Sequence, residues 1–169
     1  AQGIRTKNGR EFAFNLLVPT SSMNRVRLAV MIQAQLRSMG IRVDIEQMDN
    51  SAFIARQQAR SFDAGLAAWH LGASPDGMRQ AWSSTGLGKD GVNYGSYSNP
   101  TFDAQLDSAL LSDPDRARER FTVAYATINQ DVPAVWLYEP RKIIGIHRRI
   151  RTSGMRPDAW WVGLADWSI

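Results

Sequence analysis

The chain has 169 residues, 44% of them hydrophobic and 21% charged, with a net formal charge of +4 and no cysteine. This size and composition suit one globular domain with a real core. They exclude a disulfide scaffold, thiol chemistry and thiolate zinc ligands. No run reaches the roughly 18 apolar residues of a membrane helix. The mild basic excess reads as solvated surface, because a nucleic-acid binder gathers its charge on one face.

Residues 1–10 are polar and lack the apolar centre of a signal peptide. With no initiator Met before them, the chain is expected to be cut from a longer one. Phe12, Phe14, Leu16 and Val18 then alternate, which predicts a strand over 12–18 that Pro19 ends. Ser21, Ser22 and Asn24 offer helix caps. Leu28, Met31, Ile32, Leu36 and Met39 recur at three and four, predicting an amphipathic helix over 24–39. Gly40 stands where a helix ends on a left-handed residue. Ile41, Val43 and Ile45 alternate with charged residues and predict a second strand. Strand, helix and strand in this short span make a βαβ unit with parallel strands, hence an α/β fold.

The pattern continues with a short helix capped at Asp49 or Ser51 and carrying Phe53 and Ile54. Residues 62–69 read as a third buried strand. Residues 70–98 are irregular and hold Gly72, Gly77, Gly86, Gly88, Gly91 and Gly95, with a short helix over Asp76 to Trp82. A long loop in a compact domain is usually functional. Asn99-Pro100 and Asp113-Pro114 each open a helix, with proline at the first helical position. Phe102, Leu106, Ala109 and Leu110 form the inward face of the first. Ala117, Phe121, Ala124, Tyr125 and Ile128 form that of the second. Strands are expected over Ala134 to Tyr138 and Lys142 to Ile146. Residues 147–169, with Trp160, Trp161 and Trp167, read as a returning tail.

Catalytic patterns are missing. His70 and His147 are the two histidines, far apart, and no zinc, calcium or phosphate-loop spacing occurs. Gly86-Leu87-Gly88 has no strand before it and no helix after it. Ser74 lacks the glycine-flanked elbow of a nucleophile, and Pro75 removes an amide that an oxyanion hole would use. Asp103 and Asp107 share a helix face near its N-terminus, where negative charge is favourable as surface. Arg116, Arg118 and Arg120 alternate around a helix and read as solvated. No catalytic residue, metal or cofactor is expected.

A recognition site fits better. Ligands of open α/β sheets sit beyond the carboxyl ends of the strands. There the third strand delivers Trp69, His70 and Leu71, and the loop after it adds Asn93 and Tyr94, with Trp82 in a second rank. Aromatic faces beside polar neighbours bind small molecules without chemistry.

The ordered series Asn24-Arg25-Val26-Arg27, Ile32-Gln33 and Leu36, Gly40-Ile41-Arg42-Val43, Phe62-Asp63 leading to Trp69, Ser74-Pro75-Asp76, Asn93, Tyr97-Ser98-Asn99-Pro100 with Asp103, Val132-Pro133 and Leu137-Tyr138 resembles a known family. These are the extracytoplasmic solute-binding proteins of ABC importers, of the oligopeptide, dipeptide and nickel type. The resemblance spans about residues 10–147. It implies a periplasmic-binding-protein type II lobe, a three-layer αβα arrangement built from βαβ units. The chain would be a single C-terminal lobe, core 10–147 and tail 148–169, of a larger two-lobed protein. It would capture a small solute, handed to an ABC permease in the membrane. The same resemblance implies a periplasmic or extracytoplasmic place on the membrane-associated face, a monomer, and no nucleic acid. In peptide-binding relatives an aspartate shortly after the tryptophan meets the ligand's amino terminus. Here those positions hold Leu71, Gly72 and Ala73, with Asp76 the nearest acid. Another peptide end, a sugar, an opine or a metal chelate therefore stays open. A hydrolase using the 70–98 loop and a chemoreceptor-coupling module are the competing classes.

Overall fold

A computed structural model of the chain describes residues 3–69, 76–88, 90–141, 143–156 and 158–169. The chain divides into two compact units, Ala1–Trp69 with Gly86–Ser96, and His70–Thr85 with Tyr97–Ile169.

The first unit is α/β. It opens with a hairpin of β1 (Thr6–Lys7) and β2 (Arg10–Glu11), which sequence periodicity does not reveal. Asn8 and Gly9 both take positive φ, the geometry of a two-residue type I′ turn, and Asn-Gly is its strongest sequence signal. β3 (Ala13–Pro19) leads into α1 (Met23–Ser38) and returns as β4 (Arg42–Met48), parallel to β3 from Ala13↔Arg42 to Pro19↔Met48. The expected βαβ unit is present. Phe12 falls outside β3 and is exposed. α2 (Asn50–Gln58) begins on the Asp49 cap, whose carboxylate accepts from the amides of Ser51 and Ala52 at 2.8 and 3.0 Å. β5 (Ala64–Gly65) then pairs with β3, also parallel, giving the order β4-β3-β5.

Helices cover both faces of this sheet. Leu16, Val18, Val43 and Leu66 pack on one face with Ala29 of α1, joined by Val26, Ile32 and Leu36. Leu17 points the other way, and a Cβ at Gly65 would lie 3.9 Å from both Leu17 and Phe53 of α2. The second half of β3, Leu16 to Pro19, is buried on both faces, so it reads as a continuous apolar run. The result is helix, sheet and helix in three layers.

Gly40 ends α1 at φ +78°. A Cβ there would also lie 2.9 Å from Arg5 Cγ and 3.1 Å from the Gly3 carbonyl oxygen. The Gly40 carbonyl in turn accepts from the Arg5 amide at 2.7 Å and fastens the hairpin strand to the helix end.

The second unit is helical. α3 (Asp76–Trp82) has the expected bounds. α4 (Pro100–Leu110) and α5 (Pro114–Asp131) form a helical hairpin around Phe102, Leu106, Ala124 and Ile128. Asn99 caps α4, its side-chain oxygen accepting from the Thr101 and Phe102 amides at 2.8 and 3.2 Å. The same Asn99 side chain donates to Asp131 Oδ2 at 2.6 Å, and the Tyr97 hydroxyl donates to that oxygen at 2.6 Å. The chain before α4 is thereby tied to the end of α5.

Met31, Met39 and Tyr125, expected on apolar helix faces, are exposed, and three strand expectations fail. Apolar content predicts the third strand over 62–69, but the ladder holds only Ala64 and Gly65. The strands expected over Ala134 to Tyr138 and Lys142 to Ile146 do not form among the described residues, and Lys142 lies outside them. Val135, Trp136, Leu137, Tyr138 and Ile143 are exposed, with no neighbouring strand among the described residues to receive their amides and carbonyls. A strand is a property of a pair, and apolar alternation alone does not supply the partner. In the tail, Arg151 and Ser168 form an antiparallel bridge, and the Trp167 indole donates to the Ser153 carbonyl at 3.1 Å.

Replacing Gly40 by alanine should destabilise the protein by about 1–2 kcal/mol from the left-handed backbone alone. Urea denaturation, read as a midpoint shift at constant slope, checks it. The Tyr97–Asp131 tie sets two pH limits. Burial, then the Asp131 hydrogen bond, pushes the Tyr97 phenol up to about 12. The hydrogen bonds from Tyr97 and Asn99 hold the Asp131 carboxyl below its usual value. A raised acid in the folded state stabilises below its unfolded pKa of about 10 and loses that contribution as pH climbs through the folded value. A lowered one stabilises above about 4 and loses its contribution on acidification through its folded pKa. Stability against pH should therefore fall on both limbs, and Asp131→Asn should flatten the acid limb in pH-dependent thermal melts.

Candidate functional site: the carboxyl edge of the sheet

The geometry of the site begins at Pro19. Leu17 pairs with Gly65, and the Leu66 amide donates to the Leu17 carbonyl at 2.9 Å. In a parallel ladder the Leu66 carbonyl would next accept from the amide of residue 19. Proline has no amide hydrogen. The ladder therefore stops one residue past Gly65, and the chain is released to run free to Trp69. Pro19 is buried. The orphaned Leu66 carbonyl finds its donor in Arg25 Nη1 at 3.3 Å. Arg25 lies in the first turn of α1, so it stands at the carboxyl edge of the sheet, beside the departing strand.

Trp69 ends this segment. Trp69 is 44% exposed, so it is not sealed in a core. Tyr94 stacks on it with ring centroids 5.9 Å apart and planes 26° from parallel. Tyr94 reaches Trp69 because Gly86–Ser96 crosses back onto the first unit. That strap is held by backbone bonds from Asn93 to Gly86 at 3.1 Å and from Gly91 to Gly88 at 2.9 Å. A Cβ at Gly91 would run into the Gly86 carbonyl, so the strap closes on itself only with glycine there. Arg60 Nη2 donates to the Leu87 carbonyl at 2.8 Å and fastens the strap's start. Asn93 is fully buried and hydrogen-bonded within the strap.

The structure thus brings Trp69, Asn93 and Tyr94 together in one unit. Trp82 belongs to the other unit. There its ring meets Trp136 edge-on at 5.2 Å and packs against the α4–α5 core. His70, Leu71 and Ser74 lie outside the described residues. Sequence reasoning misses the Arg25–Leu66 bond, although Pro19 six positions earlier is the available signal.

Asp103 and Asp107 are both engaged in the fold. Asp107 pairs with Arg79 at 3.2 Å, and Asp103 accepts from the Ser84 amide at 3.1 Å. Among the described residues no group of three or more His, Cys, Asp or Glu could hold a metal ion. Among them, too, no helix is long and apolar enough to cross a membrane.

Comparison with known proteins decides the family. The model of bacterial extracellular solute-binding proteins, family 5, middle region, matches residues 1–92. The chain belongs to solute-binding protein family 5. A relative, the oligopeptide-binding protein AppA of Bacillus subtilis, is 28% identical over 172 residues, covering 95% of this chain and 31% of the relative. The peptidoglycan-binding protein YepA of Agrobacterium fabrum is 27% identical over 168 residues, covering 91% of this chain and 26% of its own. Among solved structures, AppA in complex with a nonapeptide superposes with a TM-score of 0.81 at 26% identity, covering 98% of this chain and 33% of that one. NikZ of Campylobacter jejuni in complex with Ni(L-His) has a TM-score of 0.75 at 18% identity, covering 97% of this chain and 34% of that one, and shares the fold. The chain spans about a third of the length of AppA. The fold is that of periplasmic binding proteins of type II, as the resemblance implied. The relatives are named as binding proteins.

Proposed function

We propose that this chain is the C-terminal lobe of a solute-binding component of an ABC importer, with a core over 10–147 and a returning tail over 148–169. It captures a small polar solute, peptide-like in the first instance, against the carboxyl edge of its sheet. A second lobe closes over the solute, excludes water and presents the closed form to a membrane permease. The protein acts as a monomer outside the cytoplasm, in the periplasm or its equivalent on the membrane-associated face. It neither turns its ligand over nor uses a cofactor, and it binds no nucleic acid.

The observation that supports this reading is the Trp69–Tyr94 pair. Two stacked aromatic rings, one of them nearly half exposed, offer a rigid apolar face at the sheet edge where open α/β folds bind ligands. Stacking of a ligand on such a face adds to simple area burial. The buried Asn93 fixes the strap that carries Tyr94, and His70 and Leu71, next to Trp69 in the sequence, complete the candidate set. Trp82 serves the packing of its own unit. The nonapeptide in AppA supports a peptide-like solute.

Titration calorimetry with peptides of two to nine residues tests the proposal. Trp69→Ala should weaken every ligand that the unaltered protein binds by about tenfold, the loss of one aromatic contact. Unchanged affinity for all of them would remove Trp69 from the site.

A further inference from the structure

We propose that Arg60 is a positioning residue of this site, which holds Tyr94 against Trp69 by tying down the strap that carries it. The inference rests on the reading of that ring pair as the solute-binding face.

Three observations carry it. The first is a residue type at odds with its backbone. α2 ends in a Schellman turn, in which the Ser61 amide donates to the Arg56 carbonyl at 3.1 Å and the Arg60 amide to the Gln57 carbonyl at 3.0 Å. The residue just past the cap takes left-handed backbone in such a turn, and glycine is its usual occupant. Here it is Arg60, at φ +51°. A Cβ makes that conformation unfavourable, so glycine would close the helix at lower cost. The second observation is the side chain. Arg60 is half-buried, and its Nε is buried with no hydrogen-bond partner among the described residues. Desolvating that N–H is a further cost. Backbone strain and an unpaired buried donor persist where the surrounding structure has a use for them.

The third observation is what the arginine reaches. Nη2 donates to the Leu87 carbonyl at 2.8 Å, across 27 positions of the chain. That carbonyl is the middle one of three in a row. The Gly86 carbonyl accepts from the Asn93 amide at 3.1 Å, and the Gly88 carbonyl accepts from the Gly91 amide at 2.9 Å. Arg60 therefore grips the strap where its start and its return meet. Asn93 directly precedes Tyr94, whose ring stacks on Trp69. The path from guanidinium to phenol is a hydrogen bond to Leu87, a peptide bond to Gly86, a hydrogen bond to Asn93 and a peptide bond to Tyr94. A ring fixed in advance loses less freedom when a ligand stacks on the pair.

Arg60→Gly tests this, because glycine suits the left-handed backbone and keeps the helix end while the guanidinium is lost. With fluorinated tryptophan incorporated into the protein, the Trp69 signal in the fluorine NMR spectrum is the one missing from Trp69→Phe. Tyr94→Leu gives the position of that signal without the stacked ring. Arg60→Gly should move the Trp69 signal most of the way to that position, with the thermal midpoint held or raised. Arg60→Lys, which keeps a donor, should move it less. In calorimetry with peptides of two to nine residues, Arg60→Gly should weaken the best ligand about two- to tenfold, the cost of one side chain no longer held in place. In a Tyr94→Leu background the same substitution should add nothing, since both act through one ring. A Trp69 signal that stays in place in Arg60→Gly overturns the inference, and a lowered thermal midpoint beside it would assign Arg60 to the fold alone. Additive losses in the double variant also overturn it. A displaced signal in a protein that binds no peptide keeps the hold of Arg60 on Tyr94 and overturns the solute-binding reading instead.

Discussion

A proline has no amide hydrogen, and at position 19 that absence shapes the edge of the sheet. β3 is the central strand, its second half buried on both faces, and it pairs with β4 over its whole length. Its pairing with β5 runs only until the next bond would require the missing donor. Two consequences stem from that interruption. The chain leaves the sheet after Leu66 and brings Trp69 to the surface. The unsatisfied carbonyl it leaves behind recruits Arg25 from the first turn of α1. A residue with an amide at position 19 could extend the ladder, return the segment to the sheet and free the guanidinium.

The strap Gly86–Ser96 is the second part of the same construction. It brings Tyr94 onto Trp69 across a wide gap in sequence, and it does so with local bonds and glycines rather than with regular structure. A site made in this way draws its rigidity from the scaffold and its chemistry from loops, the usual division in α/β proteins. The helical unit is held differently. Asp131, at the far end of α5, receives both Tyr97 and Asn99, so one exposed carboxylate locks the entry to α4.

Much of the frame is legible in the sequence. Period-two and period-three-to-four patterns locate β3, α1 and β4, and Asn99-Pro100 and Asp113-Pro114 place the starts of α4 and α5. The errors share a cause. The segments 134–138 and 142–146 have the right alternation, but alternation describes one partner of a ladder that needs two. Periodicity draws the third strand too long because its length is set by a residue on another strand. The hairpin at the start escapes notice because four polar residues carry no periodicity, although Asn8-Gly9 marks its turn. The chemistry of Trp69 and Tyr94 singles them out in the sequence, while their stacking is a tertiary fact. The Arg25–Leu66 bond is invisible until the register of β3 against β5 is known.

The proposed solute recognition comes down to whether the segment released by Pro19 presents Trp69, with Tyr94 behind it, to the ligand. A crystal structure of the protein with a bound peptide decides this without intermediate steps. Ligand atoms should lie within about 4 Å of the Trp69 indole, the distance of van der Waals contact. A ligand seated elsewhere, with the Trp69–Tyr94 pair untouched, would contradict the assignment of the sheet edge as the binding surface.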